Sequence, residues 1–471
     1  MAIKQILNYR SRNQYFAGFL NSLLLESELK GSVTFENQKI ILLLDDSDKD
    51  KLEDFISLAT KYLPNSIFLG EIETVVTTDN IEPKEFSSQN YEIAPCHECL
   101  ENLLNPSSET YLDDSLICNH YSNMGNRYAD NNTFSPHYSD NSTLLLTNTS
   151  KIDELFIMSE NEQKALFSIE KPTIKATLKD ENLKFITGKN FIFIKAIYNT
   201  KSALVAQNAK ESGIDYLFFY DNNPSICVIV QKNLSIIKDT KFSSSLENLN
   251  EDKKINRFLN MTKEAGYKKG SIGAYMSSLS GISFIVSNEV GAKIVLDSRI
   301  FNQEETLKYL KEDEIKSKLL KNFESKFPDI SQKLQMQNSL NIFEMICNIL
   351  ELEQLSFESL SDTASLFRGN GGLKIDMFFN ENGLDYPSLL GSIISFKLAG
   401  TDKNYLAYSI MESFADMTIS NLNQLKLKFK IDNFVMLGDM FQNSVMYSRI
   451  LSKFQLSNPY FSSSIAFDGV I

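Results

Sequence analysis

The first 75 residues alternate between two apolar periods, and that alternation limits the folds open to them. "AIKQILNY" reads as a strand. "NQYFAGFLNSLLLESE" reads as a helix with Phe16, Phe19, Leu20, Leu23 and Leu24 as its apolar positions. "GSVTFEN" and "KIILLLD" are strands joined by a short polar turn. "SDKDKLEDFISLATKYL" is a second helix, capped by Ser47 or Asp48 and stopped before Pro64. "SIFLGEIET" is a final strand. The order β-α-β-β-α-β is the split βαβ, or ferredoxin-like, plan.

Residues 79–150 depart from this pattern. They are rich in Asn, Ser, Asp and Pro and poor in periodic apolar runs. Such a segment requires a metal, a partner domain or disorder, because it cannot bury a core of its own. Within it, residues 94–128 hold three of the five cysteines and two of the three histidines. The spacing is Cys96-x2-Cys99, eighteen residues, then Cys118, with Tyr121 where a fourth cysteine of a zinc module would fall. The fourth ligand is then His120, or His97 or His137 folding back, and a metal-free remnant is the other reading.

From residue 151 globular composition returns. "SENEQKALFSIEKP" is a capped helix with an extended Lys-Pro exit. "NFIFIKAIY", "YLFFYD" and "ICVIVQ" are buried strands, with a helix across "SALVAQNAKES". "SIGAYMSSLSGISFIVSN" and "AKIVLDS" are strands near glycine turns, and long amphipathic helices follow through 304–356. The last hundred or so residues give a helix "YLAYSIMESFADMTISNLNQLKLKF", a strand "NFVMLGD" and a helix "FQNSVMYSRILSKF". The class is α/β multidomain, since 471 residues exceed one ordinary core.

Composition excludes several roles. A net charge of −13 argues against a nucleic-acid surface. No run of eighteen apolar residues suggests a membrane span, and the N-terminus lacks a signal peptide's apolar core. An odd cysteine count fits a reducing cytoplasm. "RGNGG" at 368–372 lacks the Lys-Ser/Thr of a P-loop, and Cys227 and Cys347 sit in apolar runs as core thiols. No Ser-His-Asp or Cys-His arrangement is evident, so no catalytic residue is assigned.

In this order the pieces resemble the HypF carbamoyltransferases, which prepare the cyanide ligands of [NiFe] hydrogenases. That family joins an acylphosphatase-like domain, zinc-finger motifs, a YrdC-like adenylating domain and an actin-like transfer domain. The chain looks closer still to shortened HypF-like accessory proteins of the HydE type. "YRSRNQYFAGFL" lies where acylphosphatases carry G-R-V-Q-G-V-G-F-R-P-F: Arg10, Phe16 and Phe19 match, but the catalytic Arg falls on Ala17. Asn13 and Tyr15 replace glycines, and the catalytic Asn falls on Phe35. "PCHECLENLLNP" with Cys118 and "GNRY" tracks the family's first finger, Gly125 and Arg127 included, while no second finger follows. Most of the YrdC portion is missing or cut to a fragment.

In the last domain "SDTASLFRG" resembles F-D-A-V-A-A-L-L-G, and "LGDMFQN" resembles S-G-G-V-F-Q-N. This implies a nucleotide site at Asp362, Gly438, Asp439 and Asn443, with Asp439 replacing a glycine. The family's His-x3-His metal pair cannot exist, since the last histidine is His137.

The resemblance therefore implies an acylphosphatase-like domain at 1–78, a zinc-finger-like module at 79–150, a connecting α/β segment at 151–260 and an actin-like domain at 261–471. The expected function is accessory, in hydrogenase maturation or assembly. The expected cofactors are Zn at Cys96, Cys99, Cys118 and His120, and ATP. The expected partners are the hydrogenase large subunit or other maturation proteins. The alternative is an active ATP-dependent carbamoyltransferase.

Overall fold

The structure, a computed structural model, describes residues 2–467 apart from 12–13, 37–38, 82–93, 117, 119–120, 122–131, 222–225, 232–233, 241–245, 299–300, 338, 381–382, 455–458 and 463–464. The chain divides into two compact units, Met1–Ser244 and Ser245–Ile471.

The first unit begins with the alternation legible in the sequence. Strand β1 (Ala2–Tyr9) is followed by α1 (Tyr15–Glu26), β2 (Gly31–Glu36), β3 (Lys39–Asp45), α2 (Lys49–Tyr62) and β4 (Leu69–Thr77). The four strands form an antiparallel sheet in the order β2-β3-β1-β4. Alternation places Leu7, Val33, Ile40, Leu42 and Leu44 in one core with Phe16, Phe19, Leu20, Leu23 and Leu24 of α1. Asp48 caps α2 by accepting a hydrogen bond from the Lys51 N–H.

Next come α3 (His97–Leu104), β5 (Phe134–Ser135), β6 (Thr143–Leu146), α4 (Ile152–Leu155), β7 (Phe156–Ile157) and α5 (Glu160–Leu166). They are followed by β8 (Thr173–Leu178), α6 (Glu181–Thr187), β9 (Phe191–Lys195), α7 (Thr200–Glu211), β10 (Tyr216–Phe219), β11 (Ile226–Gln231) and β12 (Leu234–Thr240). An eight-stranded mixed sheet runs β12-β11-β8-β9-β6-β10-β5, with β7 on β8. Strand β6 is fully buried, although the sequence around it reads as polar loop; its four residues are too few to show a period. The cap of α5 is a capping box between Ser159 and Glu162.

The second unit opens with α8 (Lys253–Glu264), β13 (Ser271–Ser277), β14 (Gly281–Ser287) and β15 (Ala292–Asp297). Helices α9 (Gln303–Glu312), α10 (Glu314–Lys326), α11 (Pro328–Met336), α12 (Ile342–Ile349) and α13 (Phe357–Ser365) follow. After the short pair β16 (Phe379–Asn380) and β17 (Gly383–Leu384) come α14 (Tyr386–Leu398), α15 (Lys403–Phe429) and β18 (Phe434–Leu437). A 3₁₀ turn (Asp439–Gln442), α16 (Ser444–Lys453) and β19 (Tyr460–Phe461) complete it.

Sheet order is β15-β14-β13-β18-β19. The amphipathic stretch 304–356 is divided into several helices. Asp313 caps α10, and the junction before Pro328 cannot stay helical because the proline ring crowds Phe327. Helix α15 buries Leu406, Ala407, Ile410, Met411, Phe414 and Ala415, which makes it a central element of this unit. Among the described residues, no helix is long and apolar enough to cross a membrane.

Candidate metal centre

Cys96 sits just before the first turn of α3, where orphan N–H groups await an acceptor. Its Sγ accepts from the Cys99 N–H at 3.5 Å. Cys118 then comes back across the helix start, its Sγ accepting from the N–H of Cys96 at 3.3 Å and of Tyr121 at 3.3 Å. The ligand atoms of Cys96, Cys99 and Cys118 all lie within 4.8 Å of one another. Thiolates bound tetrahedrally to Zn at about 2.3 Å would stand about 3.8 Å apart, so the donor set fits that ion.

The thiols share protons unequally. Hydrogen bonds from the Cys96 and Cys99 thiols, with the N–H groups of Cys96 and Tyr121, hold Cys118 well below the ordinary thiol range. The hydrogen bond to Cys118 pushes both Cys96 and Cys99 up. A divalent cation bound by the three sulfurs would displace their protons.

Tyr121 holds the place of a fourth cysteine but faces elsewhere. Its hydroxyl donates to the Tyr62 carbonyl at 2.9 Å, and its ring meets Phe19 edge-on at 5.2 Å. His97 is exposed, with its Nε2 3.4 Å from Glu101 Oε1. His137 is exposed and belongs to no group of clustered ligands among the described residues. His120, Gly125 and Arg127 lie outside the described residues. The module leans on its neighbours: Tyr62 donates to Glu98 at 2.9 Å, Lys61 pairs with Glu98 at 3.2 Å, and Thr200 donates to the Asp114 carbonyl at 2.8 Å.

The loop that resembles an acylphosphatase cradle is differently furnished. Ala17 is fully buried, and Phe35 packs against the same core with its ring 6.2 Å from that of Tyr9. Asn13 lies outside the described residues. The Tyr15 hydroxyl donates to Glu170, a buried carboxylate that also accepts from Ser66 Oγ at 2.5 Å and the Ile67 N–H at 3.1 Å. Burial raises the Glu170 carboxyl above its ordinary range despite these donors. Sequence reasoning missed Glu170, because a lone Glu in "SIEKP" carries no periodic signal.

In the second unit, α13 and the start of α16 meet. Asn443, fully buried, caps α16 by accepting from the Met446 N–H at 2.9 Å, while its Nδ2 donates to Ser361 Oγ at 2.8 Å. Asp362 is the next residue of α13 and is half-buried. Gly438 has φ +105°, and a Cβ there would lie 2.2 Å from the Met276 carbonyl oxygen. Asp439 accepts from the Ser278 N–H at 2.9 Å and from the Ser278 hydroxyl. Ser278 and Ser361 were not singled out in the sequence, although "SSLSG" at 277–281 marks a hairpin rich in hydroxyls.

No protein-family model matches the chain. Its fold, however, is that of HypF. Full-length HypF in its phosphate- and nucleotide-bound form superposes with a TM-score of 0.61 at 12% identity, covering 100% of this chain and 96% of that one. HypF of T. kodakarensis gives 0.58 at 11% identity, covering 98% and 96%. The chain is thus HypF-like in architecture. Among curated proteins it is similar to protein HydE of Wolinella succinogenes, 25% identical over 150 residues. That match spans 28% of this chain and 28% of HydE.

Proposed function

We propose that the chain is an accessory protein of [NiFe]-hydrogenase maturation or assembly that keeps the HypF architecture without its chemistry. The observation that carries the reading is Ala17, buried at 0% exposure in the apolar core, where the resemblance puts the catalytic Arg. With Phe35 at the position of the catalytic Asn, neither of these two positions supplies the guanidinium that would clamp an acyl phosphate or the amide that would orient water. The β1–β4 sheet is read as an acylphosphatase-like domain at 1–78, and 79–150 as a finger module holding Zn through Cys96, Cys99 and Cys118. Residues 151–260 are read as a shortened connecting segment and 261–471 as an actin-like domain.

The likeness to HydE supports the hydrogenase context. Its partners on this reading are the hydrogenase large subunit or other maturation proteins, met in the cytoplasm. Affinity capture on the metal-replete chain tests this. Recovery of a hydrogenase subunit or maturation protein is expected, and recovery of neither contradicts the reading. The alternative, an ATP-dependent carbamoyltransferase using Asp362, Gly438, Asp439 and Asn443, draws support from the nucleotide-bound form of HypF.

A further inference from the structure

The hairpin turn between β13 and β14 presents polar donors at one end of the sheet of the second unit. Ser277 Oγ accepts from the N–H groups of Leu279 at 3.2 Å and Ser280 at 2.9 Å, which fixes the turn. The N–H and the hydroxyl of Ser278 are left to point together, and both end on the two oxygens of Asp439. One residue offering two donors to one pair of oxygens is an arrangement suited to a phosphoryl group.

The backbone aims Asp439 there. Strands β13 and β18 run parallel with Tyr275 opposite Leu437, which brings the end of β18 against the turn. Gly438 then lets the chain pass so close to Met276 that no side chain fits. Asp439 follows directly and is half-buried. Burial raises its carboxyl above the ordinary carboxylate range, and the hydrogen bonds from Ser278 and Ser277 offset only part of that rise. At the tip of the turn, Leu279 is exposed, so the turn borders solvent.

We propose that Asp439 occupies an anion-binding turn from within the chain and so excludes phosphoryl ligands from it. The inference rests on the accessory reading above and deepens it. It supplies an atomic reason for a phosphate or nucleotide to be refused: a ligand oxygen would have to displace the carboxylate and then sit beside its charge.

The test uses the full chain with Asp439 intact, as Asp439→Gly and as Asp439→Ala. Inorganic phosphate and ATP are titrated separately while hydrogen exchange of the Ser278 amide is followed. In the parent chain the Ser278 amide is expected to be protected without ligand and unaffected by either titrant. In Asp439→Gly it is expected to exchange about tenfold faster or more, with protection restored by added phosphate or ATP. Restoration by both points to a phosphate site, and restoration by ATP alone to a nucleotide site; either supports the proposal.

Two results overturn it: a folded variant with an open Ser278 amide that neither titrant protects, or a parent chain that binds phosphate at the turn with Asp439 in place. If Asp439→Gly does not fold, Asp439→Ala, which also removes the acceptor oxygens, decides by the same two readouts. Capture of hydrogenase components by the parent chain is independent of this outcome, so failure of the plug and failure of the accessory role are distinguishable.

Discussion

Tyr121 marks the point at which a four-ligand pattern becomes something else. Its hydroxyl serves the Tyr62 carbonyl and its ring serves the core around Phe19. Tyr121→Phe is therefore expected to leave metal stoichiometry unchanged while costing about 1 kcal/mol in stability, the worth of one neutral hydrogen bond. Cys118→Ser, by contrast, is expected to weaken Co(II) thiolate charge-transfer absorption, because it removes one of the three clustered sulfur donors.

Glu170 makes a further prediction, about pH. Its folded-state pKa lies above its ordinary value of 4.5, so the group takes up a proton on folding. Its contribution is most favourable below about 4.5 and declines as pH rises through the folded-state value. Urea unfolding of the parent chain against pH should show this decline, and Glu170→Gln should flatten it.

At the scale of elements, legibility followed length and period. The βαββαβ start was readable because every piece carried five or more residues of clear alternation or helical spacing. Helix α5 was readable from its cap, and α15 as a long helical run whose Asp402 cap only the structure shows. Strand β6 was not, since four buried residues inside a polar segment show no period. The grouping of Cys96, Cys99 and Cys118 was readable from spacing, because a Cys-x2-Cys pair at a helix start converges and Cys118 returns to it. The direction of Tyr121 and the reach of Glu170 depend on residues 59 and 104 positions away, which no local pattern encodes.

Asn443 shows the same limit: the resemblance puts it in a nucleotide site, and no local pattern shows that its atoms also join two helices. Asn443→Ala should cost about 2 kcal/mol, combining a lost cap with the lost hydrogen bond to the half-buried Ser361 hydroxyl. Thermal unfolding of the parent chain and the variant measures it.

At the scale of the whole molecule, the chain carries the fold of HypF, while in its first unit Ala17 and Phe35 stand where the resemblance puts the catalytic Arg and Asn. Fold alone does not confer activity; a clamp and an orienting amide must be present at the right atoms. The most direct measurement of this account is nucleotide turnover by the metal-replete chain, following pyrophosphate and AMP from ATP with and without carbamoyl phosphate. The account predicts no carbamoyl-phosphate-dependent pyrophosphate above the protein-free rate. Pyrophosphate release that requires carbamoyl phosphate and scales with protein would contradict it and make the chain a working transferase.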